Sequence, residues 1–176
     1  MEFVQPAIWE PYSVSTLLDP AWAEDQKRRY PGLDALIDST VEGARNGDFD
    51  YLAGHETPAA DDDARGWIIG AGYETAVAVD ELLEYVEGTL GRQVDDLVLP
   101  GQRVEAVMVA AGQAARLDWR FSAATQADPD GVARVRSYWL TSGTGLVALQ
   151  LTAYGVEDPE IVEAFDAAAQ TMRWKP

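Results

Sequence analysis

Arg116, Arg120, Arg134 and Arg136 are the residues whose type and spacing could do chemistry. A guanidinium carries a rigid fork of N–H donors that matches a carboxylate or a phosphate. Arg116 and Arg120 stand four apart, and Arg134 and Arg136 two apart, so within extended strands each pair shares one face. If the two strands form a hairpin that sets Arg120 near Arg134, the four meet. Two readings follow. The cluster binds a carboxylate, a phosphate or an acidic segment of a partner, or it is consumed internally by Asp118, Glu105 and the acidic helices. Thirty acidic against thirteen basic residues favour the second. Trp119, Tyr138 and Trp139 lie on the same two segments and could line a pocket between sheet and helix with an arginine at its rim.

Other candidates carry less. Gly70-Ala71-Gly72 follows an apolar run and precedes a helical pattern, which is half of a dinucleotide fingerprint, but Thr75 stands at the third glycine position. Glycines in a strand that passes close beneath a helix or a tryptophan account for it equally well. Asp61, Asp62 and Asp63 are adjacent rather than alternating, so they read as a solvated loop tip and not as a calcium loop. His55 is the single histidine and reads as a structural residue at a strand end. Without cysteine there is no disulfide, thiolate or Cys-zinc chemistry. No carboxylate pair stands out for acid–base work. No catalytic residue, metal ligand or cofactor is assigned, and a non-enzymatic role is expected ahead of an enzymatic one, which stays open.

The formal charge of −17 bounds the partners. Binding nucleic acid requires neutralising phosphates with Lys and Arg, and an anionic membrane surface makes the same demand. Both are therefore unexpected, whereas a basic protein partner fits. Acidic stripes at Asp34, Asp38 and Glu42 and at Asp80, Glu81, Glu84 and Glu87 could dock such a partner, or simply face water. At 47% hydrophobic and 10% aromatic, with six tryptophans, the chain is expected to fold as one domain spanning residues 1–176. Met1–Pro20 contains no Lys or Arg and is interrupted by Pro6, Pro11 and Pro20. It does not read as a secretory leader, and a cytoplasmic location is expected unless a leader has been removed.

The elements that must position these residues follow from period and punctuation. The first twenty residues read as an edge strand or extended segment. Asp19-Pro20 opens a helix that stops before Pro31. Leu33 to Ala44 carries a 3.6-residue pattern closed by Asn46-Gly47. Strands are expected at Phe49–His55 and Trp67–Tyr73, separated by a loop over residues 56–65, and a helix at Asp80–Leu90. Residues 94–99 and 103–109 read as two strands on either side of Pro100-Gly101. Ala114–Ala123, Val132–Leu140 and Gly145–Tyr154 read as stronger strands, and a helix near Asp158–Arg173 turns Ile161, Phe165, Ala168, Ala169 and Met172 inward. From Ala115 the alternation is strict: Ala115, Leu117, Trp119 and Phe121 point one way, and Arg116, Asp118, Arg120 and Ser122 the other. The terminal helix is expected to cover the apolar side. The whole is an α+β domain, an antiparallel sheet of about six strands flanked by helices.

Gly112-Gln113-Ala114-Ala115-Arg116-Leu117, the run from Val132 to Thr152, and the closing helix from Asp158-Pro159-Glu160 through Phe165 to Thr171-Met172-Arg173 resemble the PsbP/Mog1/DcrB-like α/β/α sandwich. Within that group they are most similar to small actinobacterial domains related to the LpqN lipoproteins. The resemblance implies a sheet with helices on both faces and a binding, accessory or chaperone-like role. The group shares no active site, so no catalytic residue is implied. Neither a leader nor a lipid-bearing cysteine of the kind the lipoprotein members carry is read in this sequence, so membrane attachment is not expected. Two functions are thus expected in order: a protein-binding accessory module, with Trp9, Trp22, Trp67 and Trp139 as candidate docking aromatics or else core, and a small-molecule binder or enzyme with a pocket between sheet and helices.

Overall fold

The computed structural model describes residues 1–5, 9–29, 34–56, 65–90, 98–122, 132–142, 144–154 and 159–174. The element order is β1 (Glu10–Pro11), α1 (Val14–Leu17), α2 (Pro20–Arg29), α3 (Asp34–Asn46), β2 (Tyr51–Glu56), β3 (Arg65–Tyr73), α4 (Leu82–Leu90), β4 (Val98–Val109), β5 (Gly112–Ser122), β6 (Val132–Thr141), β7 (Leu146–Tyr154) and α5 (Pro159–Gln170). Among the described residues seven strands form one antiparallel sheet in the order β1-β2-β3-β7-β6-β5-β4. After β3 the chain crosses through α4 to the far edge and meanders back strand by strand until β7 pairs with β3. The α+β antiparallel architecture expected from the sequence is thus the one observed.

Local chemistry sets the helix ends. The Ser13 side chain accepts from the Thr16 amide at 3.0 Å and opens the short α1, which periodicity alone did not reveal. Asp19 accepts from the Ala21 amide at 2.9 Å, with Pro20 at the first helical position of α2. Gly47 follows α3 with φ of 76°, the left-handed turn expected of Asn46-Gly47. One expectation about the strands is corrected. Pro100-Gly101 does not separate two strands but lies within β4, where the register against β5 shifts between Leu99 and Arg103 and Gly101 takes φ of 111°. An edge strand tolerates a proline because its outward N–H has no partner to lose, and a bulge absorbs the extra residues.

Both faces of the sheet are covered. On one face, Leu82 and Val86 of α4 pack on Ala115, Leu117, Trp139, Leu146 and Ala148. The same face carries Leu17 of α1 and Ala44 of α3 against Leu52. On the other, Ile161, Phe165, Ala169 and Met172 pack on Ala53, Ile68, Tyr138, Leu149 and Leu151, together with Trp9 from the N-terminal segment. This corrects the expected position of the terminal helix. The apolar side of β5 lies beneath α4, and α5 covers the arginine side. The reason lies in β6 and β7, which bury apolar residues on both faces: Trp139, Leu146 and Ala148 toward α4, and Tyr138, Leu140, Leu149 and Leu151 toward α5, which give α5 its own core.

Candidate functional site

The register places Arg120 opposite Arg134, Asp118 opposite Arg136 and Arg116 opposite Tyr138. All six therefore share the α5 face, and the meeting of arginines expected from the spacing takes place. Three of the four are held by carboxylates of the chain. Arg134 grips Asp118 through Nε to Oδ1 at 3.0 Å and Nη2 to Oδ2 at 2.8 Å. Arg136, with a side chain only 10% exposed, donates to Asp118 Oδ2 and, through Nη1 at 2.5 Å, to Asp166 Oδ2 of α5. Tyr138 donates to Asp166 Oδ1 at 3.0 Å. Arg116 pairs with Glu105, which also takes Arg103 at 2.6 Å. Arg120 is exposed and has no ion pair among the described residues. Burial pushes the Asp118 carboxyl up, but the hydrogen bonds and charges of Arg134 and Arg136 outweigh it and hold the group below the usual carboxylate range. The Tyr138 hydroxyl is raised by burial and by the Asp166 charge. Chemically this is a chain of internal ion pairs that ties α5 to the sheet.

The sheet separates the expected aromatic wall. Tyr138 is buried on the α5 face, whereas Trp119 and Trp139 lie on the α4 face, so no single pocket contains all three. Neighbours along one strand point to opposite sides, and Tyr138 and Trp139 are neighbours. Trp139 donates to Ser137 at 2.8 Å and stacks on Tyr73 at 5.6 Å. Trp9 and Trp139 are core residues, Trp22 is half-buried against Tyr12, and Trp67 lies within β3. His55 pairs with Gly66 in β2. Asp61, Asp62 and Asp63 lie outside the described residues. Asp38 and Glu42 take Lys27 and Arg45, and Asp80, Glu81, Glu84 and Glu87 are exposed. Gly70 and Gly72 sit in a strand with antiparallel neighbours on both sides, not in the parallel crossover of a dinucleotide site.

Those glycines have a different use. A Cβ on Gly70 would stand 3.1 Å from Tyr51 Cβ, and one on Gly72 would stand 3.1 Å from Asp50 Oδ2. Gly70 clears the sheet surface beneath a cavity of about 580 Å³, lined by Met1, Glu2, Phe3, Gln5, Asp50, Tyr51, Gly70, Ala71 and Val147. The N-terminal segment roofs it. That segment is fixed by reciprocal backbone bonds between Glu2 and Arg173 at 3.0 and 2.9 Å and by Val4 N–H to Thr171 Oγ1 at 2.7 Å. Phe3 and Tyr51 meet edge to face at 4.9 Å. The Tyr51 hydroxyl is buried without a hydrogen-bond partner among the described residues, and burial pushes its pKa up to about 12. Sequence reasoning missed this site because its walls come from four separated segments. Gly70-x-Gly72 was the one visible signal.

No family model and no curated protein matches the sequence. Among solved structures, the chain is similar to LpqN of Mycobacterium tuberculosis, described as involved in cell envelope biogenesis. The identity is 14%, the match covers 99% of this chain and 83% of that one, and the TM-score is 0.50. It is also similar to PA94 of Pseudomonas aeruginosa, a protein of unknown function described as a proposed regulator. That match has 16% identity, covers 71% of this chain and 83% of the other, and has a TM-score of 0.48. At these identities the first likeness is one of fold, and it supports the LpqN-like arrangement that the sequence resemblance implied.

Proposed function

We propose that the protein is a non-enzymatic binding module whose ligand enters the cavity beneath the N-terminal segment. The supporting observation is the cavity of about 580 Å³, lined in part by Tyr51, whose hydroxyl is buried without a hydrogen-bond partner among the described residues. A buried, unsatisfied polar group costs about 1–3 kcal/mol, and a ligand toward which the Tyr51 side chain turns to bond recovers that energy. The volume lies within the range of small-molecule sites, and the lining mixes aromatic and aliphatic walls with a few convergent polar groups. An accessory role is compatible with such a module and with its fold likeness to LpqN, a protein involved in cell envelope biogenesis.

A thermal-shift screen of small metabolites on the wild type and on Tyr51→Phe tests this reading. A ligand of the native state raises the melting temperature by mass action. The expected result is a hit that is weakened in Tyr51→Phe, in a variant no less stable than the wild type when unliganded. A clear loss of stability on deleting the hydroxyl, or hits indifferent to it, overturns the reading. A second reading, capture of an acidic segment of a partner, is favoured by Arg120, which is exposed, unpaired among the described residues and next to Arg134. Here Arg120→Glu abolishes partner retention in a pull-down, and undiminished retention counts against it.

A further inference from the structure

We infer that the cavity takes an organic cation with an apolar body, an amine bearing a ring or a short hydrocarbon chain. This rests on the cavity reading above. The lining is rich in acceptors, and neither lysine nor arginine contributes to it. Glu2 is held by Arg173 at 2.7 Å. Asp50 is exposed at the mouth and has no ion pair among the described residues. Gln5 gives its Nε2 to the Trp9 carbonyl at 2.5 Å, which leaves its carbonyl oxygen to accept. An ammonium offers three donors and no acceptor, which matches the Asp50 carboxylate and the Gln5 carbonyl, whereas an anion would meet the Asp50 carboxylate at the mouth, the Glu2 charge being balanced already by Arg173. The Phe3 and Tyr51 rings add the aromatic surface that a cation prefers, and Met1 and Val147 accommodate the apolar body. The field of a chain carrying −17 concentrates cations around it.

Three probes of one shape and different charge separate the possibilities: phenethylamine, phenethyl alcohol and phenylacetate, titrated calorimetrically into the full chain. The expected order is amine first, alcohol at least about tenfold weaker, and carboxylate undetectable. A charge-assisted hydrogen bond is roughly twice as strong as a neutral one. Asp50→Asn is expected to weaken the amine about tenfold and leave the alcohol unchanged, with circular dichroism confirming the fold. Equal binding of amine and alcohol, or preference for the carboxylate, overturns the cation inference while the cavity reading stands. Failure of all three to bind overturns both.

Discussion

Asp118 shows how a residue that looks solvent-facing in the sequence becomes the centre of a part-buried network. Four N–H groups of Arg134 and Arg136 converge on its two oxygens. Because its folded pKa lies below the unfolded value, its stabilisation is complete above about pH 4, the ordinary range of the unfolded carboxyl, and fades as pH falls through the lower folded value. Asp118→Asn removes the charge but keeps the size. It leaves two guanidinium groups short of their anion, one of them almost fully buried. The expected cost is about 3 kcal/mol at pH 7. Urea unfolding at pH 7 and at about pH 3 checks this: the gap between variant and wild type narrows in acid. A gap of constant size would show that the carboxylate contributes through shape alone.

At the scale of elements, α5 does two jobs at once, and its sequence separates them by position. Phe165 is fully buried against Tyr138 at 5.8 Å, while the next residue, Asp166, reaches Arg136 and Tyr138. The apolar stripe docks the helix, and the acidic neighbour fixes its orientation over a polar half-face of sheet. Phe165→Ala is expected to cost about 3–5 kcal/mol, the usual range for emptying a core aromatic site. Asp166→Asn, which keeps a hydrogen-bonding side chain at a part-buried position, is expected to cost less than half as much. Equilibrium unfolding of the two variants checks the order. Were Asp166→Asn the more damaging, the ion pairs rather than the core would hold the helix. The β4 edge is handled differently: Pro100, Gly101 and the register shift break up one end of an otherwise long unpaired strand, which discourages edge-to-edge association.

Across the whole molecule, local signals were legible and global ones were not. Asp19-Pro20, Asn46-Gly47 and the alternation from Ala115 each determine structure within a few residues, and helix, turn and strand formed where those signals stand. Alternation says that Leu117 and Arg116 face opposite ways, but not which helix covers which. That choice belongs to α4 and α5, more than twenty residues away on either side, and it inverted the expected packing. The cavity was illegible for the same reason, since Glu2, Tyr51, Gly70 and Val147 meet only after the sheet has closed. Net charge, by contrast, is a whole-molecule quantity read directly from composition, and it carries its own expectation. A formal −17 on 176 residues repels itself in the folded state more than in the expanded one. Raising sodium chloride from about 10 mM to about 1 M shortens the screening length from about 30 Å to about 3 Å. The melting temperature is therefore expected to rise by several degrees, while the cost of Asp118→Asn changes less, because a part-buried network is screened less than exposed charges are. A scanning-calorimetry series in salt checks both. A melting temperature that falls with salt would mean that exposed pairs such as Lys27–Asp38 contribute more than the surplus of like charge takes away.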